Sequence, residues 1–166
     1  VRDVERVQFS DGLVETSALL PTLATEGHDH LVGDAADNRI NGLGGADKII
    51  GGTGADMLAG GGGADDFIYV ASSDSSGQPD IIKDFVHALD DIDVAAIDAN
   101  GADAGNPAFV FLGNSAFTGA GAEARFVKNA TNDVTNVFLD IDGNQSADMT
   151  IRLTGLITLD AGDFIL

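Results

Sequence analysis

A nine-residue repeat constrains the fold of this chain more than any other feature of its sequence. Between residues 24 and 68 a large apolar residue recurs every nine positions, and an Asp or Asn stands two positions before each one. Because phase and residue type agree over consecutive copies, the pattern predicts a stacked repeat structure. The apolar positions are Leu31, Ile40, Ile49, Leu58 and Phe67, and the polar positions are Asp29, Asn38, Asp47, Asp56 and Asp65.

Each repeat divides into a turn and a short strand. The segments GGTGADMLA (51–59) and GGGGADDFI (60–68) fit the pattern GGxGxDxUx, where U is a large apolar residue. GLGGADKII (42–50) lacks one glycine, and the two copies before it are degenerate but in phase. Nine residues accommodate a six-residue turn, in which glycine permits positive φ, and a three-residue strand with one inward side chain. We therefore predict that two consecutive repeats form one coil of a parallel roll.

Alternate turns are expected to stack on the same side, which brings the polar positions into two rows. Stacked strands lie about 4.8 Å apart, so carboxylates in one row repel each other unless a cation lies between them. Calcium suits this position, because it takes six to eight hard oxygen ligands and glycine-rich turns expose carbonyl oxygens. We therefore predict that the five polar positions bind several calcium ions together with Gly42, Gly44, Gly45, Gly51, Gly52, Thr53, Gly54, Gly60, Gly61, Gly62 and Gly63.

The composition favours a cation as the partner and argues against nucleic acid and membrane insertion. Asp outnumbers Glu by 23 to 4, as expected for carboxylates in turns, and the net charge is -19 with only 8 Lys and Arg. This charge argues against nucleic acid as a partner, and no long apolar segment predicts membrane insertion. Without cysteine there is no disulfide and no thiolate metal site. Metal-free Asp-Gly turns are the alternative reading of the repeats, and magnesium fits less well because it requires a tight octahedron.

The segment after the repeats carries a family resemblance. Asp80, Ile81 or Ile82, Asp84 and Phe85 match a D-x-I-x-D-F element, which Asp91, Ile92 and Asp93 follow. Over roughly residues 24–166 the chain resembles the C-terminal domain of serralysin-type proteases and related RTX proteins, which carry haemolysin-type nonapeptide repeats. The resemblance implies an all-β fold, with a parallel β-roll over 24–70 and an antiparallel, sandwich-like cap over 71–166. It also implies that Asp80, and less directly Asp84, binds a terminal calcium ion.

The same resemblance implies a role in export. Such modules fold on extracellular calcium and direct a larger protein through a type I ABC transporter of a Gram-negative bacterium, which makes the chain secreted. The end of the chain, Asp163, Phe164, Ile165 and Leu166, is similar to the export signals of that family. Because the sequence begins at Val1, residues 1–23 are expected to link it to a preceding catalytic or adhesive domain. No HExxH motif is present, so we expect no enzyme activity here.

The second half of the chain has strand periodicity and a further candidate site. Apolar residues alternate over 108–113, 123–128, 135–141 and 148–156, and a terminal DFIL completes a predicted antiparallel meander. In LDIDGNQSAD, four residues occupy the first, third, fifth and ninth positions of an EF-hand-like calcium loop. They are Asp140, Asp142, Asn144 and Asp148. A plain hairpin with an Asp-Gly-Asn turn explains the same residues.

A second function class is a carbohydrate-binding module of an alginate-modifying enzyme or an adhesin, which the repeats also resemble. Such a module must hold a polyanion, so it needs basic side chains. The Lys and Arg residues are few and dispersed, but Arg39 and Lys48 occupy the same repeat position. On this hypothesis the two side chains combine with bound calcium to contact the polymer.

Overall fold

The computed structural model describes residues 24–98 and 108–166. Within these ranges the chain contains no α-helix, and its two 3-10 helices are Ser72–Ser75 and Ala161–Asp163. The predicted linker over residues 1–23 lies outside the described part of the chain. No helix in the described part is long and apolar enough to cross a membrane. The strands are β1 (His30–Val32), β2 (Arg39–Asn41), β3 (Lys48–Ile50), β4 (Met57–Ala59), β5 (Asp66–Ile68), β6 (Asp80–Ile82), β7 (Asp91–Asp93), β8 (Val110–Phe111), β9 (Glu123–Asn129), β10 (Val134–Asp140), β11 (Met149–Thr154) and β12 (Phe164–Ile165).

Consecutive repeats place their strands in opposite sheets. One sheet has the order β1-β3-β5-β7-β12, and the other has the order β2-β4-β6-β11-β10-β9-β8. In the first sheet Leu31, Ile49 and Phe67 align in parallel register, and in the second Ile40 aligns with Leu58. Aligned residues are therefore two repeats apart. This confirms the predicted parallel β-roll, in which one coil contains two repeats.

Each three-residue strand of the roll directs its central side chain inward. The side chains of Ile49, Leu58 and Phe67 are at most 1% exposed, whereas the residues beside them in each strand are more exposed. Side chains alternate across a strand, so a three-residue strand has one inward position. Burying such a side chain contributes about 1.5–3 kcal/mol. The single apolar residue per repeat is thus sufficient to line the interior.

The two sheets of the roll continue beyond the nonapeptide repeats. Strand β6 pairs in parallel with β4, where Leu58 aligns with Ile82, and β7 pairs with β5, where Phe67 aligns with Ile92. The 3-10 helix Ser72–Ser75 lies in the loop between β5 and β6. This loop lengthens the connection without breaking the stack, because the next strand still supplies an inward apolar residue.

The predicted antiparallel meander exists and extends one sheet of the roll. Strands β9, β10 and β11 pair antiparallel, and β11 pairs in parallel with β6. The all-β fold of parallel roll and antiparallel cap is therefore confirmed. Two details differ from expectation. Strand β8, from the predicted segment 108–113, pairs in parallel and not antiparallel with β9. The terminal DFIL strand β12 pairs in parallel with β7 in the other sheet. There it covers a sheet edge, and the Phe164 ring centroid lies 5.0 Å from that of Phe111.

Candidate metal centre

The turns of the well-formed repeats share one backbone conformation. Gly52 and Gly61, at the second turn position, have φ of 89° and 94°, and Gly54 and Gly63, at the fourth, have φ of 132° and 141°. These left-handed conformations favour glycine. In the repeat before them Leu43 occupies the second position with φ of 73°. The position at which this repeat lacks a glycine is therefore occupied by a leucine in a strained backbone conformation.

The first glycine of each turn makes room for a carboxylate of the same repeat. A Cβ atom built on this glycine would lie 2.2 Å from an oxygen of the Asp five residues later at Gly42 and Gly60, and 2.3 Å from it at Gly51. No side chain fits at such distances. The absence of a Cβ thus allows the carboxylate to fold back against the turn.

Four aspartates form the first edge of the roll, which consists of Asp29, Asp47, Asp65 and Asp90. The backbone N–H of Asp29 donates to Oδ1 of Asp47 at 2.9 Å, and that of Asp47 donates to Oδ1 of Asp65 at 2.9 Å. The N–H of Asp65 donates to Oδ1 of Asp90 at 3.1 Å. The carboxylates of Asp47, Asp65 and Asp90 are therefore each fixed by the coil before them, which confirms that alternate turns stack.

The second edge consists of Asn38, Asp56 and Asp80. The N–H of Asn38 donates to Oδ1 of Asp56 at 2.8 Å, and that of Asp56 donates to Oδ1 of Asp80 at 2.9 Å. The N–H of Asp80 then donates to Oγ of Ser75 at 2.8 Å, which ends the series. Ser75 takes the place of a further carboxylate because the loop before β6 folds over this end of the edge.

The second carboxylate oxygen of the inner edge residues has no hydrogen-bond partner. Oδ2 of Asp47, Asp56, Asp65 and Asp80 is buried and unpartnered. At the outer end of the first edge, by contrast, Oδ2 of Asp29 accepts from the N–H and hydroxyl of Thr25. Buried carboxylate oxygens without a partner are costly to a folded protein. A cation placed along either edge would compensate these oxygen atoms.

Burial makes these carboxylates hard to ionise in the protein alone. Desolvation raises the pKa of Asp80 to about 7, and the charges of Asp56 and Asp74 act in the same direction. Desolvation also raises the pKa of Asp56, Asp65 and Asp90. The neighbouring charges that contribute are all aspartates, most of them on the edges or in the turns, and Asp66 of β5 also acts on Asp65. A bound cation would reverse this effect by stabilising the ionised forms.

The donor atoms on the edges fit a hard divalent cation. The Cβ position of Gly42 is 2.2 Å from Oδ2 of Asp47 and 2.5 Å from the carbonyl oxygen of Gly60, so both oxygens face one small volume. Carboxylate and carbonyl oxygens are the ligands that calcium prefers. The predicted turn glycines and Thr53 lie in these two rows of turns. Their roles as individual ligands stay predictions.

Two aspartates that follow the repeats, Asp84 and Asp90, were not equally predictable from the sequence. Asp84 accepts the N–H of Gly60 at 3.0 Å through Oδ1 and that of Gly61 at 3.0 Å through Oδ2, so it closes the last glycine turn. Its predicted part in calcium binding remains a prediction. Asp90 was not among the predicted ligands. A signal was present, because Asp90 stands two positions before buried Ile92, as in every repeat.

The acidic residues of the β10–β11 hairpin also come together. Asp140, Asp142 and Asp148 each offer one oxygen within 4.8 Å of the others. Asp140 is buried, and its carboxylate accepts the N–H groups of Gly143 and Gln145 at 2.8 and 2.7 Å. Asn144, the other predicted ligand, donates its side-chain amide to Asp142 at 2.9 Å. The structure thus brings three of the four predicted residues together, and their carboxylates already accept hydrogen bonds from the loop. Calcium binding at this hairpin stays a prediction.

The C-terminal residues predicted as an export signal are part of the folded structure. Asp163 is fully buried and accepts the N–H of Ala88 at 2.8 Å and that of Asp160 at 2.7 Å. Phe164 is buried in the core. Once the domain has folded, Asp163 and Phe164 are therefore inaccessible, whereas Ile165 remains 39% exposed.

Comparison with known proteins agrees with this architecture. Residues 22–166 match the family model described as peptidase M10 serralysin C terminal. The chain belongs to the serralysin C-terminal family. Its resemblance to RTX repeat proteins, inferred from the sequence, is thereby confirmed. The matched region is the C-terminal repeat module, and not the catalytic part, of such proteins.

Individual relatives show how much of a larger protein this module represents. Serralysin G of Dickeya chrysanthemi is 41% identical over 130 residues, which is 78% of this chain and 26% of that protein. Serralysin A of the same organism is 37% identical over 100 residues, or 60% of this chain and 19% of that protein. This serralysin C-terminal module thus spans about a quarter or less of the length of these relatives.

A solved structure supports the fold. The solution structure of the AlgE6R3 subunit of the Azotobacter vinelandii mannuronan C5-epimerase aligns with a TM-score of 0.55 and 24% identity. The alignment covers 87% of this chain and 81% of that one. At this identity the similarity establishes a shared β-roll architecture.

Proposed function

We propose that this serralysin C-terminal module binds calcium along both edges of its roll and folds when it meets extracellular calcium. The observation that carries the proposal is the set of buried, unpartnered Oδ2 atoms on Asp47, Asp56, Asp65 and Asp80. Without a cation these groups oppose folding through desolvation and mutual repulsion. The module is thus expected to stay unfolded where calcium is scarce.

The free energy of calcium binding is large enough to decide whether the module is folded. Extracellular calcium modules have dissociation constants of about 0.1–1 mM. At ten-fold excess of calcium each site adds roughly 1.4 kcal/mol, so three or four sites add roughly 4–6 kcal/mol. This gain is comparable to the whole stability of a small domain. Several weak sites acting together would therefore couple binding to folding.

The neighbours Asp65 and Asp66 provide a matched test of calcium-dependent folding. Calcium is added to chelator-treated protein while far-ultraviolet circular dichroism is recorded, and β-structure is expected to appear cooperatively in the millimolar range. Asp65→Ala should raise the midpoint, because Asp65 is a buried edge residue. Asp66→Ala should not, because Asp66 lies on the outer face in an ion pair with Lys48. Identical spectra and melting temperatures with and without calcium would refute the proposal.

We further propose that the module is secreted through a type I ABC transporter and that its C-terminal segment is the export signal of a larger protein. Because Asp163 and Phe164 are buried in the folded domain, the transporter would have to read them before folding. Deleting residues 163–166 should reduce export in a cell that carries such a transporter. His87→Ala is the control, since it removes a folded-state contact of Asp163 and leaves the signal sequence intact.

Export that is unchanged by the deletion would contradict the signal assignment. Equal loss of export in the deletion and in His87→Ala would show that folding after export, and not the signal, limits the yield. In both cases the calcium titration is performed on purified protein, so it is independent of the export result. Any catalytic activity of the larger protein is assigned to another region on this proposal.

Binding of an anionic polysaccharide is a second candidate function, and the structure changes its expected site. Arg39 and Lys48 do not lie together, because consecutive repeats alternate between sheets and place them on opposite faces. Lys48 is also paired with Asp66 at 3.4 Å. Instead, Arg39 lies on the outer face of the seven-stranded sheet, in one transverse row with Arg152. Three strand spacings of about 4.8 Å separate them by about 14 Å.

A binding experiment with alginate oligomers distinguishes this candidate. If the outer face of the seven-stranded sheet holds the polymer, Arg39→Ala and Arg152→Ala should each weaken saturable binding in the presence of calcium. Lys48→Ala, on the other sheet, serves as the control. Absence of saturable binding by the calcium-loaded wild type would reject the carbohydrate function and leave the calcium proposal unaffected.

A further inference from the structure

One glycine turn of the roll begins with a chemically labile pair of residues. Where the later repeats carry an aliphatic residue before the first turn glycine, the second repeat carries Asn41 before Gly42. Asparagine is thermolabile, and most so before glycine, because no side chain hinders attack of the next backbone nitrogen on its amide. A Cβ at Gly42 would lie 2.2 Å from Oδ2 of Asp47 and 2.5 Å from the carbonyl oxygen of Gly60. The fold therefore requires the glycine that makes Asn41 reactive.

The side chain of Asn41 has a structural role in this turn. Its Oδ1 accepts the N–H of Leu43 at 3.0 Å, and Leu43 has φ of 73° at a position where the later repeats have glycine. An Asn side chain that bonds the backbone two residues further on stabilises such turns. Asn41 thus compensates for the glycine that its repeat lacks, which accounts for a labile residue at an exposed position.

The folded roll restrains the nitrogen atom that would attack the amide. The N–H of Gly42 donates to the carbonyl oxygen of Ala59 at 2.9 Å, and Asn41 aligns with Ala59 in the parallel register of β2 and β4. Attack requires this N–H to lose its proton and the peptide to rotate out of the extended conformation, so the pairing with β4 must open. A reaction that proceeds only through an opened state is slowed in proportion to the population of that state. We therefore expect a slow reaction in the roll and a fast one in the unfolded chain.

We propose that Asn41 and Gly42 form a self-modification site whose rate is controlled by the folding of the roll. The nitrogen of Gly42 attacks Cγ of Asn41, a C–N bond forms, and the side-chain nitrogen leaves as ammonia. Water then opens the cyclic imide at either carbonyl, which gives aspartate or isoaspartate and needs no other reactant. Isoaspartate inserts an additional carbon atom into the backbone between β2 and the turn. Gly42 is then displaced from its position against Asp47, so the modified chain loses the ability to form this coil.

The site limits how long the unfolded module stays competent to fold. This inference rests on the proposed calcium-dependent folding, because calcium then protects Asn41 and chains kept unfolded without calcium accumulate isoaspartate. An irreversible reaction of the unfolded state removes chains from a reversible equilibrium. The yield of folded protein should therefore depend on how soon the unfolded chain meets calcium.

Peptide mapping by mass spectrometry measures the reaction at residue 41. The 166-residue protein is kept in warm, mildly alkaline buffer with calcium, with chelator or with urea. A second Asn-Gly pair, at 100–101, lies outside the described residues and is followed as a separate peptide. We expect conversion of Asn41 in chelator and in urea, and conversion at least about ten-fold slower in calcium. Equal rates in urea and in calcium, with the calcium sample shown by circular dichroism to be folded, would overturn the proposal.

The circular dichroism spectra separate this proposal from the calcium function. If calcium does not change the spectrum, the proposed function fails. A folded spectrum in chelator then makes the comparison of chelator with urea the test of Asn41, and equal rates overturn the inference. A spectrum that stays unfolded in calcium rejects both proposals.

Asn41→Ser is the matched control for the loss of folding. A serine hydroxyl can accept the N–H of Leu43 but cannot form the cyclic imide. After ageing in chelator, a large part of the wild type should no longer fold in calcium, whereas Asn41→Ser should fold as before. Equal loss in both chains would contradict the proposal. If Asn41→Ser does not fold before ageing, the aged wild type decides, since isoaspartate at residue 41 should be depleted from the fraction that calcium still folds and its presence there at an equal level would refute the proposal.

Discussion

His87 and Asp163 are 76 residues apart in sequence, yet Nδ1 of His87 lies 2.8 Å from Oδ1 and 2.9 Å from Oδ2 of Asp163. The same buried carboxylate accepts two backbone N–H groups, so one side chain connects the C-terminal strand to the turn before β7. Asp163→Ala would leave these donors unpaired. We expect a loss of about 2–4 kcal/mol in the free energy of unfolding.

Urea unfolding of the calcium-loaded protein measures this loss. His87→Ala should cost less, about 0.5–1.5 kcal/mol, because the half-exposed imidazole can be replaced by water. An equal or larger effect for His87→Ala would contradict a central role for the Asp163 carboxylate.

Leu43→Gly is expected to stabilise the calcium-loaded protein. Leu43 has φ of 73°, where Gly52 and Gly61 occupy the corresponding positions of the next repeats. Relief of the left-handed conformation gains about 1–2 kcal/mol, and the extra backbone entropy of glycine in the unfolded chain offsets about 0.5–1 kcal/mol. The side chain is 46% exposed, so little burial is lost. A higher urea midpoint is expected for Leu43→Gly and not for Leu43→Ala, which keeps the strain.

The adjacent glycines Gly62 and Gly63 differ in whether the structure leaves room for a side chain. A Cβ at Gly63, where φ is 141°, would lie 1.5 Å from the carbonyl oxygen of Gly45, whereas a Cβ at Gly62 would meet no atom within 4 Å. Gly63→Ala should therefore displace one coil from the next and cost several kcal/mol. Gly62→Ala should change stability by no more than about 0.5 kcal/mol. Comparable melting temperatures for the two calcium-loaded variants would show that the stacked turns are not packed as described.

The calcium-free protein should become less stable as the pH rises. Burial raises the pKa of Asp80 from 3.8 to about 7, so the folded state binds its proton more tightly than the unfolded chain does. The resulting stability is fully present below about pH 4 and is lost as the pH rises towards 7, by a few kcal/mol at most. In chelator, the fraction of folded protein, measured by far-ultraviolet circular dichroism, should be larger at pH 5 than at pH 8. Asp80→Asn should show a smaller difference, and a larger folded fraction at pH 8 would be inconsistent with a protonated Asp80.

The calcium-loaded protein should show the opposite trend. Protons compete with the cation for the carboxylates, so acidification should weaken calcium binding. The midpoint of calcium-induced folding is therefore expected at higher calcium concentration at pH 5 than at pH 8. A calcium titration at the two pH values, followed by circular dichroism, measures this shift.

Asp142→Ala tests whether the β10–β11 hairpin binds an ion. Three carboxylate oxygens within 4.8 Å of one another repel unless a cation or proton is present. If calcium binds there, the variant should lose one ion by isothermal titration calorimetry, and the hairpin should become more mobile. Ser146→Ala, in the same loop, is the control. An ion count equal to that of the wild type would support the plain hairpin.

The nine-residue period was enough to predict the roll from the sequence. Each repeat pairs with the repeats one coil away, which are two repeats before and after it, so chemistry within short sequence distances decides the stacking. Glycine at positions of positive φ specifies the turns, and one apolar residue per strand specifies the interior, as Ile49 and Leu58 show. The same regularity predicted that Asp47 and Asp65 lie on one edge, since they are two repeats apart.

The positions of the residues that follow the repeats were decided by the tertiary structure. Asp90 stands two positions before Ile92, as in the repeats, but no nine-residue period relates it to Asp65, so the packing of β7 beside β5 was needed to place it on the first edge. Likewise, the terminal Phe164 joins β7, and not the meander, because that sheet has an open edge and the hydrophobic core has room for its ring. Contacts over such sequence separations depend on loop length and on the volume left by other side chains, and neither is encoded in a local pattern.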